Sequence, residues 1–353
     1  MHGSPFEILA EDPRSRLRAG LLHTPHGTIL TPAFMPVGTR ATVKALTPAD
    51  VRASGAVCVL ANTYHLTQLA DVVERQGGLH GFMRWDGPIL TDSGGFQLFS
   101  IGDAVDLSPE RAIQSQEALG ADLIMPLDVC LGAEASHAEA EQALATTHEW
   151  WRRSLGARRR DDQALFAIVQ GGMYADLRRQ AGRAAAAEDP PGFAIGGLSV
   201  GEPAATTQAM LRETLAQLPP HKPRYLMGVG SPAEVQRYAR LGVDLFDCVL
   251  PTRLARTGCV WTDLAGSRLD LARGAALGLR GPISKGCCCL ACTQYDVGAV
   301  AALFVAREQL AYRLASLHNL TVLSRALDTI RTEALTVAYT GRGSGMVGNV
   351  LRL

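Results

Sequence analysis

The sequence predicts an α/β fold, a closed (β/α)8 TIM barrel. Three observations lead there. Eight short apolar, β-prone runs recur along the 353 residues. Most are followed by a turn signal and then a helical pattern, the rhythm of a parallel sheet buried on both faces. Eight such units in a chain of this length fit a barrel better than an open doubly wound sheet, the second fold they allow.

The runs are, in order, Phe34–Val37, Val57–Ala61, Ile89–Thr91, Leu123–Leu127, Leu165–Val169, Phe193–Ile195, Tyr225–Met227 and Leu245–Asp247. Helix starts mark the intervals. Ser231-Pro232-Ala233-Glu234 offers Ser at the N-cap, Pro at the first helical position and Glu three residues on, the pattern of a capping box. Thr47-Pro48, Ser108-Pro109 and Glu202-Pro203 mark similar starts. Gly94-Gly95, Gly171-Gly172 and Gly196-Gly197 stand just after strands. A single barrel domain over residues 1–353 is expected.

Composition, 47% hydrophobic and 19% charged, is that of a globular protein. The first fifteen residues carry Glu7, Glu11, Asp12 and Arg14 and lack an apolar core, so no signal peptide is expected. No run of 18 uncharged apolar residues predicts a membrane span, and a cytoplasmic location is expected. Net charge is zero, but from Cys248 onward 12 basic residues face 6 acidic ones. That excess suits a phosphate backbone, or is chance asymmetry on a solvated surface.

Four cysteines are scattered (Cys58, Cys130, Cys248 and Cys259) and four are packed at Cys287, Cys288, Cys289 and Cys292. In a reducing compartment such a cluster suggests metal rather than disulfides. Cys287, Cys289 and Cys292 form a C-x-C-x-x-C pattern, and His318 follows 26 residues later in a helical-looking stretch, Leu310–Asn319. Three thiolates and one imidazole make a closed tetrahedral Zn2+ site, structural rather than catalytic. Cys288 is a spare thiol that competes as a ligand, and His318 taken alone reads as a packed or surface histidine.

Chemistry in a barrel sits at the C-terminal ends of the strands. Asp92 and Ser93 end the third run, Asp128 the fourth, Gln170 the fifth, Gly196 and Gly197 the sixth, and Asp247 the eighth. Each alone reads as well as a helix cap or loop hydrogen-bonder. Together they suit glycosidic chemistry, in which one carboxylate attacks an anomeric carbon and another handles protons. A carboxylate accepts from the N1–H and amine of a guanine-like purine, and a glutamine amide suits a carbonyl edge. Phe96 and Met227 either sandwich a flat ring or pack in the core.

These residues lie in segments that resemble a known family. Thr91-Asp92-Ser93-Gly94-Gly95-Phe96-Gln97, Ile168-Val169-Gln170-Gly171-Gly172 and Gly196-Gly197-Leu198-Ser199-Val200-Gly201-Glu202 are similar to signatures of bacterial-type tRNA-guanine transglycosylases. So are Tyr225-Leu226-Met227-Gly228-Val229-Gly230, Phe246-Asp247-Cys248-Val249-Leu250-Pro251-Thr252-Arg253, the zinc motif and His318-Asn319. The resemblance runs from about Gly27 to beyond residue 330. It implies a (β/α)8 barrel with a zinc-binding subdomain, placed here at 280–335, near the last helix.

The resemblance also implies roles. Asp247 is expected as the nucleophile at C1′ of the wobble guanosine in tRNAs with a GUN anticodon. Asp92 is expected as the general acid/base. Asp128, Gln170 and the Gly197 backbone would recognise the base, Phe96 and Met227 would stack on it, and Ser93 would adjoin it. Arg253 and Arg256 would hold tRNA. Cys130 and Val200 look like bacterial choices, which implies 7-aminomethyl-7-deazaguanine (preQ1) rather than queuine as the incoming base, in exchange for guanine. Three features depart from the pattern: Val129 follows Asp128, Leu254 replaces an Asn, and Tyr295–Val300 replaces a segment that helps build the bacterial homodimer. A non-catalytic tRNA-binding subunit would be expected to lose the carboxylates that this chain keeps.

Overall fold

A computed structural model describes residues 5–12, 14–95 and 108–340 of the chain. Three antiparallel strands come first: β1 (Phe6–Glu11), β2 (Arg18–Thr24) and β3 (Gly27–Thr31). Their small sheet precedes the first of the eight expected runs. The barrel strands follow as β4 (Ala33–Gly38), β5 (Val59–Asn62), β6 (Ile89–Asp92), β7 (Leu123–Ile124), β8 (Ala164–Leu165), β9 (Ala167–Val169), β10 (Phe193–Ile195), β11 (Arg224–Leu226) and β12 (Leu245–Cys248).

All neighbours in this sheet are parallel, in the order β8-β7-β6-β5-β4-β12-β11-β10-β9. The two ends of that order, β8 and β9, are one segment interrupted at Phe166. The Phe166 N–H still bonds the Ile124 carbonyl at 3.1 Å, while the next residue, Ala167, bonds the Gly192 carbonyl at 3.0 Å. The segment hands over from β7 to β10, and the nine runs make eight staves of a barrel, as expected.

Strand β7 is shorter than the run Leu123–Leu127. Pro126 brings no N–H to a ladder. Gln116, on helix Pro109–Leu119, occupies the preceding residue: its Oε1 accepts from Met125 N at 2.9 Å and its Nε2 donates to Met125 O at 2.7 Å. A buried side-chain amide thus replaces the ladder. At Ser231 half of the expected capping box forms. Its Oγ accepts from Glu234 N at 3.4 Å, but the Glu234 carboxylate bonds the Ser231 hydroxyl instead of the Ser231 backbone. Thr47 and Asp50 make the full reciprocal box.

The near-continuous apolar strands serve two cores. Alternate residues point inward: Met35, Leu60, Leu90, Leu123, Ile168, Ala194, Tyr225 and Leu245 fill the barrel. Their neighbours in sequence, such as Phe34, Val59, Ile89, Ile124, Val169, Ile195 and Phe246, face the surrounding helices. This is the period of two acting on a sheet covered on both sides. Phe6, Leu22 and Ile29 from the first small sheet pack into the interior cluster at the end where the strands begin. Beside them the buried Arg18 guanidinium forks onto the Asp244 carboxylate, with Nε to Oδ1 at 2.8 Å, and donates to the Lys222 carbonyl at 2.8 Å. Among the described residues no helix is long and apolar enough to cross a membrane.

Candidate active site

The inward parity that fills the core carries on to the strand ends. Two residues beyond Leu60, Leu90, Ile168, Ala194, Tyr225 and Leu245 stand Asn62, Asp92, Gln170, Gly196, Met227 and Asp247. Apolar side chains close the barrel below, and on five of these six strands the last inward position is polar or small; Met227 is the exception. Asn62, Asp92, Asp128, Gly197, Met227 and Asp247 are among the residues lining a cavity of about 550 Å³ at this mouth. A larger depression, about 750 Å³, lies on the barrel flank among Arg212, Arg237 and Arg240; no carboxylate is among its described lining residues.

The two carboxylates expected to do chemistry sit in different surroundings. Asp247 Oδ1 accepts from the Tyr225 hydroxyl at 2.7 Å and from Gly228 N at 2.8 Å. Burial pushes the Asp247 pKa up, and these two donors oppose the shift. Asp92 Oδ2 accepts from Asn62 Nδ2 at 2.8 Å. Burial, followed by the charges of Asp128 and Asp247, pushes Asp92 up to about 7. A carboxyl poised near neutrality can give and take a proton, while a carboxylate held by two donors can attack.

A second polar unit lies beside them. Gln170 Nε2 donates to Asp128 Oδ2 at 2.5 Å, and both residues are buried. Burial raises Asp128 to about 6 against that hydrogen bond. Glycine is required around the pair. A Cβ on Gly197, where φ is +64°, would lie 2.3 Å from Gln170 Oε1, and one on Gly95 would lie 2.7 Å from Asp128 Oδ1. Cys130 and Val200 line the cavity; burial raises the Cys130 thiol to about 12 and keeps it neutral. Met227, half-buried, also lines it. Ser93 is fully buried, and its Oγ accepts from Gly95 N at 3.3 Å. Phe96 lies outside the described residues.

Arg253 and Arg256 ride on helix Leu250–Arg256, directly after Asp247 and Cys248. Arg253 is exposed at the cavity rim; Arg256 is half-buried. This helix is tied to the cysteine cluster. Asn319 Nδ2 donates to the carbonyls of Pro251 at 3.0 Å and Cys259 at 3.1 Å, and its Oδ1 accepts from Trp261 N at 3.1 Å. The preceding residue, His318, bonds the Trp261 carbonyl through Nε2 at 2.7 Å, which leaves Nδ1 facing the thiols.

The Sγ atoms of Cys287, Cys289 and Cys292 stand 3.7, 3.5 and 3.3 Å from His318 Nδ1. A tetrahedral ion with sulfur at about 2.3 Å and nitrogen at about 2.1 Å would separate those atoms by about 3.6 Å. The four residues therefore fit a metal ion. Cys288 is exposed and is not one of the four.

Three supporting residues escaped the reading of the sequence. Tyr225 and Asn62 had a signal: they share the inward parity of the strands. Arg178, in helix Ala175–Ala187, had none. It is fully buried and donates to four backbone carbonyls at the ends of β9 and β10 and in the loops beyond. Glu202-Pro203 marks the start of helix Ala204–Leu215 as expected, but Glu202 also does more. Its carboxylate accepts from Ser199 N at 2.6 Å, Val200 N at 2.9 Å and Thr207 Oγ1 at 2.6 Å, shaping the loop that carries Val200.

Comparison with known proteins gives the family of the chain. A family model described as queuine tRNA-ribosyltransferase matches residues 12–336. A protein of that name from Thermosynechococcus vestitus is 48% identical over 350 residues, covering 94% of this chain and 92% of its own. Another, from Herpetosiphon aurantiacus, is 46% identical over 354 residues, covering 95% and 90%. With a match of this length and relatives this similar end to end, the chain belongs to the queuine tRNA-ribosyltransferase family, a family of transferases.

Proposed function

We propose that this enzyme exchanges the wobble guanine of GUN-anticodon tRNAs for preQ1 by double displacement. The observation that carries this reading is one cavity holding two carboxylates in unlike environments, Asp247 and Asp92, beside the Asp128–Gln170 pair. In the first half-reaction an Asp247 oxygen bonds C1′ of the nucleotide as the bond to guanine breaks, and Asp92 gives the departing base its proton. In the second, Asp92 takes a proton from the ring nitrogen of the incoming base. That nitrogen attacks C1′ and releases Asp247. The target nucleoside must leave its stack to reach a mouth of this depth.

Asp128 and Gln170 read the guanine-like edge, with the Gly197 N–H opposite; Met227, Ser93 and Phe96 adjoin the ring. Val200 and Cys130 line the cavity, and a branched side chain at Val200 would crowd the bulkier queuine, which favours preQ1. Arg253 and Arg256 meet the RNA backbone or anticodon bases. Zinc is the ion that suits three thiolates and an imidazole, and within a subdomain at 280–335 it serves the fold rather than the reaction. The enzyme works in the cytoplasm, where its tRNA is, and pairs as a homodimer.

The test is exchange of labelled guanine into an unmodified GUN tRNA, with unlabelled preQ1 and queuine as competitors and Asp247→Ala as control. Incorporation by the wild type alone, blocked mainly by preQ1, is expected. Blocking by queuine instead would reassign the base; no incorporation by folded, metal-loaded protein would sink the reading.

A further inference from the structure

Arg178 is a buried cation with no carboxylate in salt-bridge contact among the described residues, although the Glu202 charge acts on it from farther off. Its Nε donates to Gly172 O at 2.9 Å, Nη1 to Gly196 O at 2.8 Å and Val169 O at 3.2 Å, and Nη2 to Gly197 O at 3.0 Å. Burial lowers its pKa only to about 10, so it stays charged at neutral pH. Burying a guanidinium without a counterion in contact is costly, and a packed apolar side chain would avoid the cost. The arginine therefore does something that an apolar residue would not.

The carbonyls it holds belong to the loops that border the proposed base pocket. The peptide joining Gly196 to Gly197 is planar and trans, so its carbonyl and N–H point in opposite directions. With the Gly196 carbonyl drawn onto the guanidinium, the Gly197 N–H is turned the other way, and it lies toward the Cys130 sulfur at the cavity. A charge-assisted bond to the carbonyl also polarises the peptide and strengthens its N–H as a donor.

We infer that Arg178 is a positioning residue for base recognition, fixing the Gly196–Gly197 peptide so that the Gly197 N–H meets the carbonyl edge of the base. This rests on the transglycosylase reading above. The arginine acts through the peptide and is not itself among the residues lining the cavity. Gly171 lets it approach, since a Cβ there would stand 2.8 Å from Arg178 N.

The experiment compares the intact wild type with Arg178→Lys and Arg178→Gln in calorimetric binding of free guanine and of 2,6-diaminopurine. The second base carries an amine where guanine has its carbonyl, so it gains nothing from the Gly197 N–H. Both variants are expected to lose about tenfold or more in guanine affinity and less than about threefold for 2,6-diaminopurine. In guanine exchange the loss should fall on KM for the base more than on kcat. Equal losses for both bases, an unchanged preference, or failure of both variants to fold would each overturn the assignment. A wild type that binds neither base would instead refute the transglycosylase reading itself.

Discussion

The Tyr225 hydroxyl donates to Asp247 Oδ1 at 2.7 Å from the neighbouring strand, where Tyr225 lies level with Leu245, two residues below the carboxylate. Burial and the Asp247 charge hold the phenol far above its usual range, so it remains a donor. Tyr225→Phe keeps the ring and removes the bond. Hydrogen bonds to charged groups contribute about 1.5–3 kcal/mol, so the rate of the step using Asp247 should fall about 10- to 100-fold. Asp247, having lost a donor, should ionise at higher pH, moving the acid limb of the rate profile upward. An unmoved limb would show that the bond is only packing.

In the proposed mechanism Asp92 sets the other limb. It would have to be protonated to release guanine, and burial with the Asp128 and Asp247 charges pushes it up to about 7. Guanine release in single-turnover experiments should therefore decline as pH rises through about 7. Asn62 donates to the Asp92 carboxylate and favours its ionised form. Asn62→Leu should shift the decline to higher pH. A shift to lower pH would contradict the assigned direction.

The same carboxyl burdens the fold. A folded-state pKa of about 7 against an ordinary 3.8 means that the native protein binds more protons than the unfolded chain across that window. Stability contributed by this site is lost as pH rises from about 4 to about 7. Asp92→Asn should abolish turnover yet raise Tm, and more at pH 8 than at pH 5. Equal gains at both values would assign the effect to packing instead.

The cysteine cluster makes two variants behave differently although they are neighbours. Cys289→Ser should lower bound zinc and Tm together, because metal binding and folding are coupled. Cys288→Ser should change neither. Metal analysis of both purified variants decides it, and full occupancy in Cys289→Ser would point to another ligand set.

The Arg18–Asp244 pair predicts a purely structural loss. Both side chains are buried, and Asp244 Oδ2 also accepts from Arg224 N at 2.7 Å. Arg18→Met removes the forked guanidinium from a buried aspartate, and breaking such a pair costs about 3–5 kcal/mol. Denaturant unfolding measures the drop. Guanine affinity of the folded fraction should be unchanged, since the pair lies at the opposite end of the barrel from Asp92.

Much of this was legible in the sequence because strands repeat every two residues. Asp92, Gln170 and Asp247 end apolar runs in the inward register, so their convergence follows from closure of the barrel. Cys287, Cys289, Cys292 and His318 were legible because spacing and ligand chemistry both constrain them. Arg178 was not. Its role depends on carbonyls from two strands converging on one helix position, and backbone carbonyls leave no mark in sequence. The shortened β7 was hidden for a similar reason, since Gln116 substitutes for a strand partner only once the helix carrying it has docked. Cys288 differs from its neighbours only in the direction its side chain faces.

Phe6, Leu22 and Ile29 close the end of the barrel where the strands begin. Among the described residues, the proposed catalytic chamber is therefore open at one end, where the strands finish. In the proposed exchange, an outgoing guanine could not drain through the floor while its replacement waits above, and bound RNA would share the same opening. In the proposed double displacement, exit and entry would alternate through one passage, and the lifetime of the empty, RNA-linked state would govern which free base is captured. Selectivity then belongs to that waiting interval as much as to the contacts that read the base.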